Sequence, residues 1–210
     1  MKNLFIYIAL MFVTLTGTAF MTKAQAVEKG NVMLDVYYGF PNLTTGILRV
    51  AARSVTDVPN LKVSGVGPFG AKASYMVTDH VGIGLDFYYA SSGVSYTDSG
   101  IDSIGTPYNY SYHLTNPRPR FLARVDYHFG NSEIVDFYGA AGLGYSGSRY
   151  KLVTDDPVFT LANYALREIR LPVAFRLAFG TKIYFVKNFG ATAEIGLGGP
   201  LLTVGLSGKF

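Results

Sequence analysis

The chain has 210 residues, with 18 Lys+Arg against 14 Asp+Glu, no cysteine and no tryptophan, but 24 Gly, 16 Tyr and 15 Phe. The absence of cysteine excludes a disulfide scaffold and thiol chemistry. A formal charge of only +4, with no Lys/Arg-rich run, gives no basis for nucleic-acid binding.

The chain opens with Lys2, a 12-residue, mostly apolar run from Leu4 to Leu15, and the small-x-small triplet Ala24-Gln25-Ala26. This is the layout of a secretory signal peptide, and the run is too short to cross a bilayer as a helix, which needs about 20 residues. Residues 1–26 are therefore expected to be a cleaved Sec-type signal peptide, and 27–210 the mature domain. The mature part then carries 16 Lys+Arg against 14 Asp+Glu, because Lys2 and Lys23 leave with the signal.

Eight stretches of the mature part alternate apolar and polar or small residues, the period of a strand. Val32, Leu34, Val36 and Tyr38 oppose Asp35 and Tyr37. Phe69, Ala71, Ala73, Tyr75 and Val77 oppose Lys72, Ser74 and Met76. Val81 to Tyr89 sets Ile83, Leu85 and Phe87 against Gly82, Gly84, Asp86 and Tyr88. Arg120 to Phe129 sets Phe121, Ala123, Val125 and Tyr127 against Arg120, Leu122, Arg124, Asp126 and His128. Phe137 to Tyr145 places Ala141 and Leu143 opposite Tyr138, Ala140, Gly142 and Gly144. Val173, Phe175, Leu177 and Phe179 oppose Ala174, Arg176, Ala178 and Gly180. Ala191 to Leu197 sets Ala193 and Ile195 against Thr192, Glu194 and Gly196. Leu202, Val204, Leu206 and Phe210 oppose Thr203, Gly205, Ser207 and Lys209. No segment after the signal keeps a helical period, so the expectation is an all-β chain.

Short links (78–80, 130–133, 186–189) alternate with long ones (41–66, 91–119, 146–169), and only the last link, 198–200, is short where a long one is due. Short turns on one side and long loops on the other are the layout of a transmembrane barrel, with periplasmic turns and extracellular loops. Strand cores of about nine to eleven residues suit a tilted crossing. Aromatics near strand ends, Tyr38, Phe69, Tyr89 and Tyr145 on the loop side and Tyr75, Tyr127, Phe129, Phe137 and Phe210 on the turn side, predict two interfacial girdles. An open sheet cannot survive in lipid, so the eight strands must close.

Eight strands enclose an interior just wide enough for side chains. The small residues of the inner face leave room there for Asp35, Lys72, Asp86, Arg120, Arg124, Asp126, Arg176 and Glu194, four acids and four bases. Buried charges are tolerable only when paired, so these are expected to form an internal network that plugs the barrel.

The terminal "LLTVGLSGKF" resembles the last strand of bacterial outer-membrane barrels, and residues 27–210 as a whole resemble the small eight-stranded outer-membrane barrel proteins, OmpX-like and OmpA-barrel-like. The resemblance implies location in the bacterial outer membrane, surrounding outer-membrane lipids, and recognition of Phe210 by the barrel-assembly machinery. It also implies loops available to an extracellular protein or surface ligand. The short link at 198–200 departs from the usual four long loops.

Other motifs carry less. "GVGPFG" (Gly65, Gly67, Gly70) matches the dinucleotide fingerprint, but it leads into a strand and not a helix. "GAAGLG" (139–144) reads as barrel wall. His80, His113 and His128 fall at different heights, which is no metal geometry. Ser111 and His113 lie near Asp98 and Asp102 without a recognisable catalytic pattern. Tyr96, Tyr108, Tyr110 and Tyr112 could extend a hairpin beyond the membrane as a tyrosine-rich edge, or simply reach the outer girdle. Such an edge suits recognition or strand addition. The expected function is thus a non-enzymatic outer-membrane barrel, without cofactor or metal, in an envelope-structural or adhesive role. Its rivals are a porin-like transporter of small or hydrophobic solutes, a soluble lipocalin-like binder with the apolar face turned inward, and a lipid-modifying enzyme.

Overall fold

A computed structural model describes residues 26–55, 58–101, 105–129, 132–157 and 172–210. Residues 1–25 of the expected signal peptide (1–26) and Asp102 lie outside these residues.

Each alternating stretch becomes a strand, because one face meets lipid and the other a crowded interior. Along β1 (Val32–Phe40) exposed and buried residues alternate without a break. The others are β2 (Lys62–Met76), β3 (Val81–Ile101), β4 (Pro107–His128), β5 (Val135–Ser146), β6 (Lys151–Thr154), β7 (Val173–Val186), β8 (Phe189–Leu197) and β9 (Leu202–Lys209). All pairings are antiparallel between neighbours, and β1 pairs with β9. Eight strands, all but β6, therefore form a closed antiparallel ring. Closure leaves no edge in the lipid. At the seam Phe210 exchanges backbone hydrogen bonds with Val32 at 2.7 and 2.9 Å, and its ring meets Phe189 edge-on at 6.0 Å.

The outward residues are apolar and exposed: Leu34, Val36, Leu85, Val125, Leu143, Phe175, Leu177 and Leu206 among them. Most large buried residues are polar or charged, the inverse of a soluble domain. This is an eight-stranded transmembrane β-barrel, and it removes the inward-facing lipocalin arrangement. No helix among the described residues is long and apolar enough to cross a membrane.

Several features depart from the expectation. Residues 43–53 form α1 (Leu43–Arg53), begun by Asn42, whose side chain accepts from the Thr45 N–H at 3.2 Å. The expectation of no helix is thus corrected: Leu43, Ile47 and Val50 do share one face, but they are exposed. The 91–119 link is mostly strand, the hairpin extension that the alternation of Tyr108, Tyr110 and Tyr112 beside Tyr96 allows, and longer than that alternation. β3 and β4 stay paired from Val81/Tyr127 to Ile101/Pro107. The last 12 pairs, from Ala90/Arg118 outward, run above the aromatic level for about 40 Å of strand at 3.3 Å per residue. Within the 146–169 link, β6 pairs with β4 over residues 151–154. β2, β3, β4 and β6 thus continue as a small sheet beyond the barrel, here termed the blade.

At the opposite end Ala26 and Val27 are buried with Met33, Met76 and Tyr184. The Lys209 ammonium donates to the Ala26 carbonyl. Val27, the first residue of the expected mature chain, therefore packs into the turn-side mouth.

Candidate functional site

Inside the barrel, strand alternation aims every second side chain at the axis, and the small neighbours decide where long ones fit. Gly70 stands opposite Tyr37 and Gly180 opposite Tyr138 in the strand register. A Cβ on Gly70 would fall 2.7 Å from the Tyr37 hydroxyl oxygen, and one on Gly180 2.6 Å from that of Tyr138. Each tyrosine lies across the glycine of the next strand, which spends the missing side chain's space on a ring.

Glu194 on β8 is the hub. Its Oε1 accepts from Arg176 Nη2 at 2.5 Å and Nε at 2.7 Å. Its Oε2 accepts from Lys72 Nζ at 2.9 Å, Arg124 Nη2 at 2.7 Å and the Tyr138 hydroxyl at 3.2 Å. Arg124 also donates from Nε to Asp126 at 2.5 Å, and its Nη1 lies 3.6 Å from Asp86. Tyr37 donates to Asp86 at 2.6 Å and Ser74 to Asp126 at 2.9 Å. All these charged groups are nearly fully buried. The donors to Glu194 come from β2, β4, β5 and β7, so the cluster spans the barrel's cross-section.

Two of the eight charges anticipated from sequence stand outside the Glu194 cluster. Asp35 pairs with Lys182, whose ammonium sits 2.9 Å from both carboxylate oxygens, one layer nearer the turns. Asp86 belongs to the cluster through Arg124, 3.6 Å away, and accepts from Tyr37 at 2.6 Å. Arg120 stays out altogether: it donates to the Tyr88 hydroxyl at 2.5 Å and the Gly198 carbonyl at 2.6 Å, at the loop-side mouth. Lys182 and Asp136 are interior partners not named from the sequence, and His128 and Tyr138, on the inner face by alternation, join them as polar partners. His128 Nδ1 lies 2.7 Å from Asp136. Lys182 continues the inner face of Arg176 by six residues, a signal available from alternation.

In the blade Tyr96 and Tyr112 stack at 4.9 Å, and Tyr108 and Tyr110 at 5.3 Å. Tyr112 is buried and donates to Asp156 at 2.5 Å. That bond, followed by burial, raises the Tyr112 pKa above that of free tyrosine. The Tyr112 ring is therefore a packing residue and no part of an exposed edge. The β4 edge is itself occupied over Tyr112–Thr115 by β6, and the Ser111 N–H donates to Asp155 at 2.6 Å. His113 Nδ1 meets the Ser95 hydroxyl at 2.9 Å in an exposed position. Among the described residues no cluster of three His, Asp or Glu could hold a metal.

The arrangement is thus a lipid-facing shell, a charged interior that spans the cross-section and an elongated sheet outside. The outer membrane protein β-barrel domain matches residues 11–199. Similar solved structures include the outer membrane protein OprG of Pseudomonas aeruginosa, 12% identical, covering 89% of this chain and 99% of that one, with a TM-score of 0.49. The N-terminal barrel domain of Pseudomonas aeruginosa OprF is 16% identical, covers 87% and 99%, and scores 0.39. Ail, the attachment invasion locus protein of Yersinia pestis, is 12% identical, covers 87% and 99%, and scores 0.38. No curated protein matches the chain. The chain belongs to the outer membrane protein β-barrel domain family and is a protein of the bacterial outer membrane.

Proposed function

We propose that this chain is a non-enzymatic outer-membrane anchor whose working surface is the blade, serving contact with a protein or other ligand outside the cell. The observation that carries this reading is the β3–β4 pairing, which continues for 12 residue pairs beyond the aromatic level. A barrel built only to cross the membrane has no need of a paired, tyrosine-stacked extension. The Tyr96/Tyr112 and Tyr108/Tyr110 stacks hold it flat, and Tyr96, Tyr108 and Tyr110 stay half-buried, each offering part of a large ring with a polar tip. The Glu194 cluster crosses the interior, which argues for a plug in place of a pore.

The test compares cells displaying the full chain with cells displaying a variant in which residues 94–113 are replaced by Asn-Gly. Adhesion is read on collagen-coated and serum-protein-coated surfaces, with heat-shifted gel mobility as the check on the barrel. Loss of adhesion with an intact barrel supports the reading. Equal adhesion together with steady ion conductance by the full chain would favour transport.

A further inference from the structure

The barrel wall is lowest at the turn between β8 and β9. Pairing of β7 with β8 stops at Leu177/Leu197, whereas β7 continues beside β5 to Val173/Tyr145. On the other side β9 leaves β1 at Phe40/Leu202. A notch results above residues 198–201. Behind it lies a cleft of about 440 Å³, within the usual range for a small-molecule site.

The cleft is divided by chemistry. Its rim is apolar and exposed: Leu43, Val173, Phe175, Leu197 and Leu201. Its floor carries Arg118 and Arg120, two residues apart on the inner face of β4. Arg120 is held by Tyr88 and the Gly198 carbonyl. Arg118 donates from Nη1 to the Thr44 hydroxyl at 2.7 Å, and its buried Nε has no hydrogen-bond partner. The first turn of α1 also lines the cleft. Elsewhere in the interior Lys72, Arg124, Arg176 and Lys182 each meet a carboxylate. Arg118 and Arg120 meet none among the described residues. Two half-buried cations without a counter-ion are costly unless an anion comes from outside.

We propose that the notch seats an amphiphile with a single anionic headgroup, a carboxylate or a phosphate monoester. The head would be received by Arg118 and Arg120, and the alkyl chain would leave over Leu201, Leu197 and Phe175 into the membrane. The notch opens at the height of the loop-side aromatics, where headgroups of the outer leaflet lie. A ligand that is only an ion would leave the apolar rim unused, and a neutral hydrocarbon would leave the arginines unmatched.

The experiment uses the mature chain in phosphatidylcholine nanodiscs, with 11-(dansylamino)undecanoate as the fluorescent probe. Competitors are decanoate, decyl phosphate, decanol, acetate and inorganic phosphate. Decanoate and decyl phosphate are expected to displace the probe, while decanol, acetate and inorganic phosphate displace it at least tenfold less well. Whichever of the first two is stronger names the source, a fatty acid or a lipid phosphate. The double variant Arg118→Gln/Arg120→Gln is expected to bind at least tenfold more weakly while keeping its heat-shifted mobility. If that variant fails to fold, Leu201→Glu, which sets a repelling carboxylate on the rim, is expected to weaken binding in the same way. Displacement by decanol as good as by decanoate overturns the anionic seat, and displacement by inorganic phosphate as good as by decyl phosphate overturns the amphiphile. Absence of saturable binding, or binding unaffected in a folded variant, overturns the proposal.

Discussion

Arg176 on β7 and Glu194 on β8 meet through two hydrogen bonds, 2.5 and 2.7 Å long, with both side chains sealed from solvent. The same carboxylate also receives Lys72 and Arg124, so a single acid touches three bases drawn from three strands, of which only Arg124 has further carboxylates, Asp126 and Asp86. Glu194→Gln should therefore be among the most damaging interior changes, since it leaves buried cations uncompensated. The expected loss is about 3–5 kcal/mol, measured as a lower urea midpoint for the folded barrel in detergent micelles or vesicles. A stability equal to that of the parent would mean that the cluster is hydrated.

Leu143 lies on the outer face and is 67% exposed. In lipid, Leu143→Arg should cost about 2–4 kcal/mol if the position lies near the bilayer midplane. Folding into vesicles of phosphatidylcholine reads this directly. A neutral effect would mean that this face meets water.

Tyr138 crosses Gly180, and a Cβ at that glycine would stand 2.9 Å from the ring's Cε1. Gly180→Val should push Tyr138 away from Glu194 and destabilise the barrel by about 1–3 kcal/mol through overpacking. A second change, Tyr138→Ala, frees that space and should recover part of the loss. Strictly additive effects of the two changes would argue against the contact.

Tyr112 ties β6 to β4 through Asp156. Tyr112→Phe should lower the local stability of the 151–154 strand by about 1 kcal/mol, seen as faster amide exchange there while the barrel stays protected. The sign with pH follows from the raised pKa of Tyr112. The bond contributes fully below the ordinary tyrosine pKa of about 10 and is lost only as pH rises through the higher folded value. Alkaline difference absorbance between the parent chain and Tyr112→Phe should therefore show a tyrosine that ionises later than a free one.

Much of the barrel was legible in the sequence because lipid on one face and a crowded interior on the other impose a two-residue period. Val32 to Tyr38 and Phe121 to Phe129 show it without interruption. Beyond the membrane that pressure stops. Ser91 to Ile101 and Pro107 to Pro119 keep only a partial alternation, Tyr108, Tyr110, Tyr112 and Leu114 beside Val94 and Tyr96, which suggests a hairpin extension without setting its length. α1 is hard to see because its helical signal is only about two turns, Leu43, Ile47 and Val50 behind Asn42. Interior charges were visible as residues but not as partners: strand order alone does not say that Asp35 reaches Lys182 across the barrel, or that Arg120 turns to a backbone carbonyl at the mouth.

The central claim is that side chains fill the barrel and leave its outer sheet to act. Single-channel recording of the purified mature chain in planar bilayers tests it most directly. The account predicts a flat trace without steady conductance steps, because the groups around Glu194 span the interior. Reproducible, long-lived steps from the folded, heat-shifting protein would show that ions pass the cluster, and would make the barrel a pore.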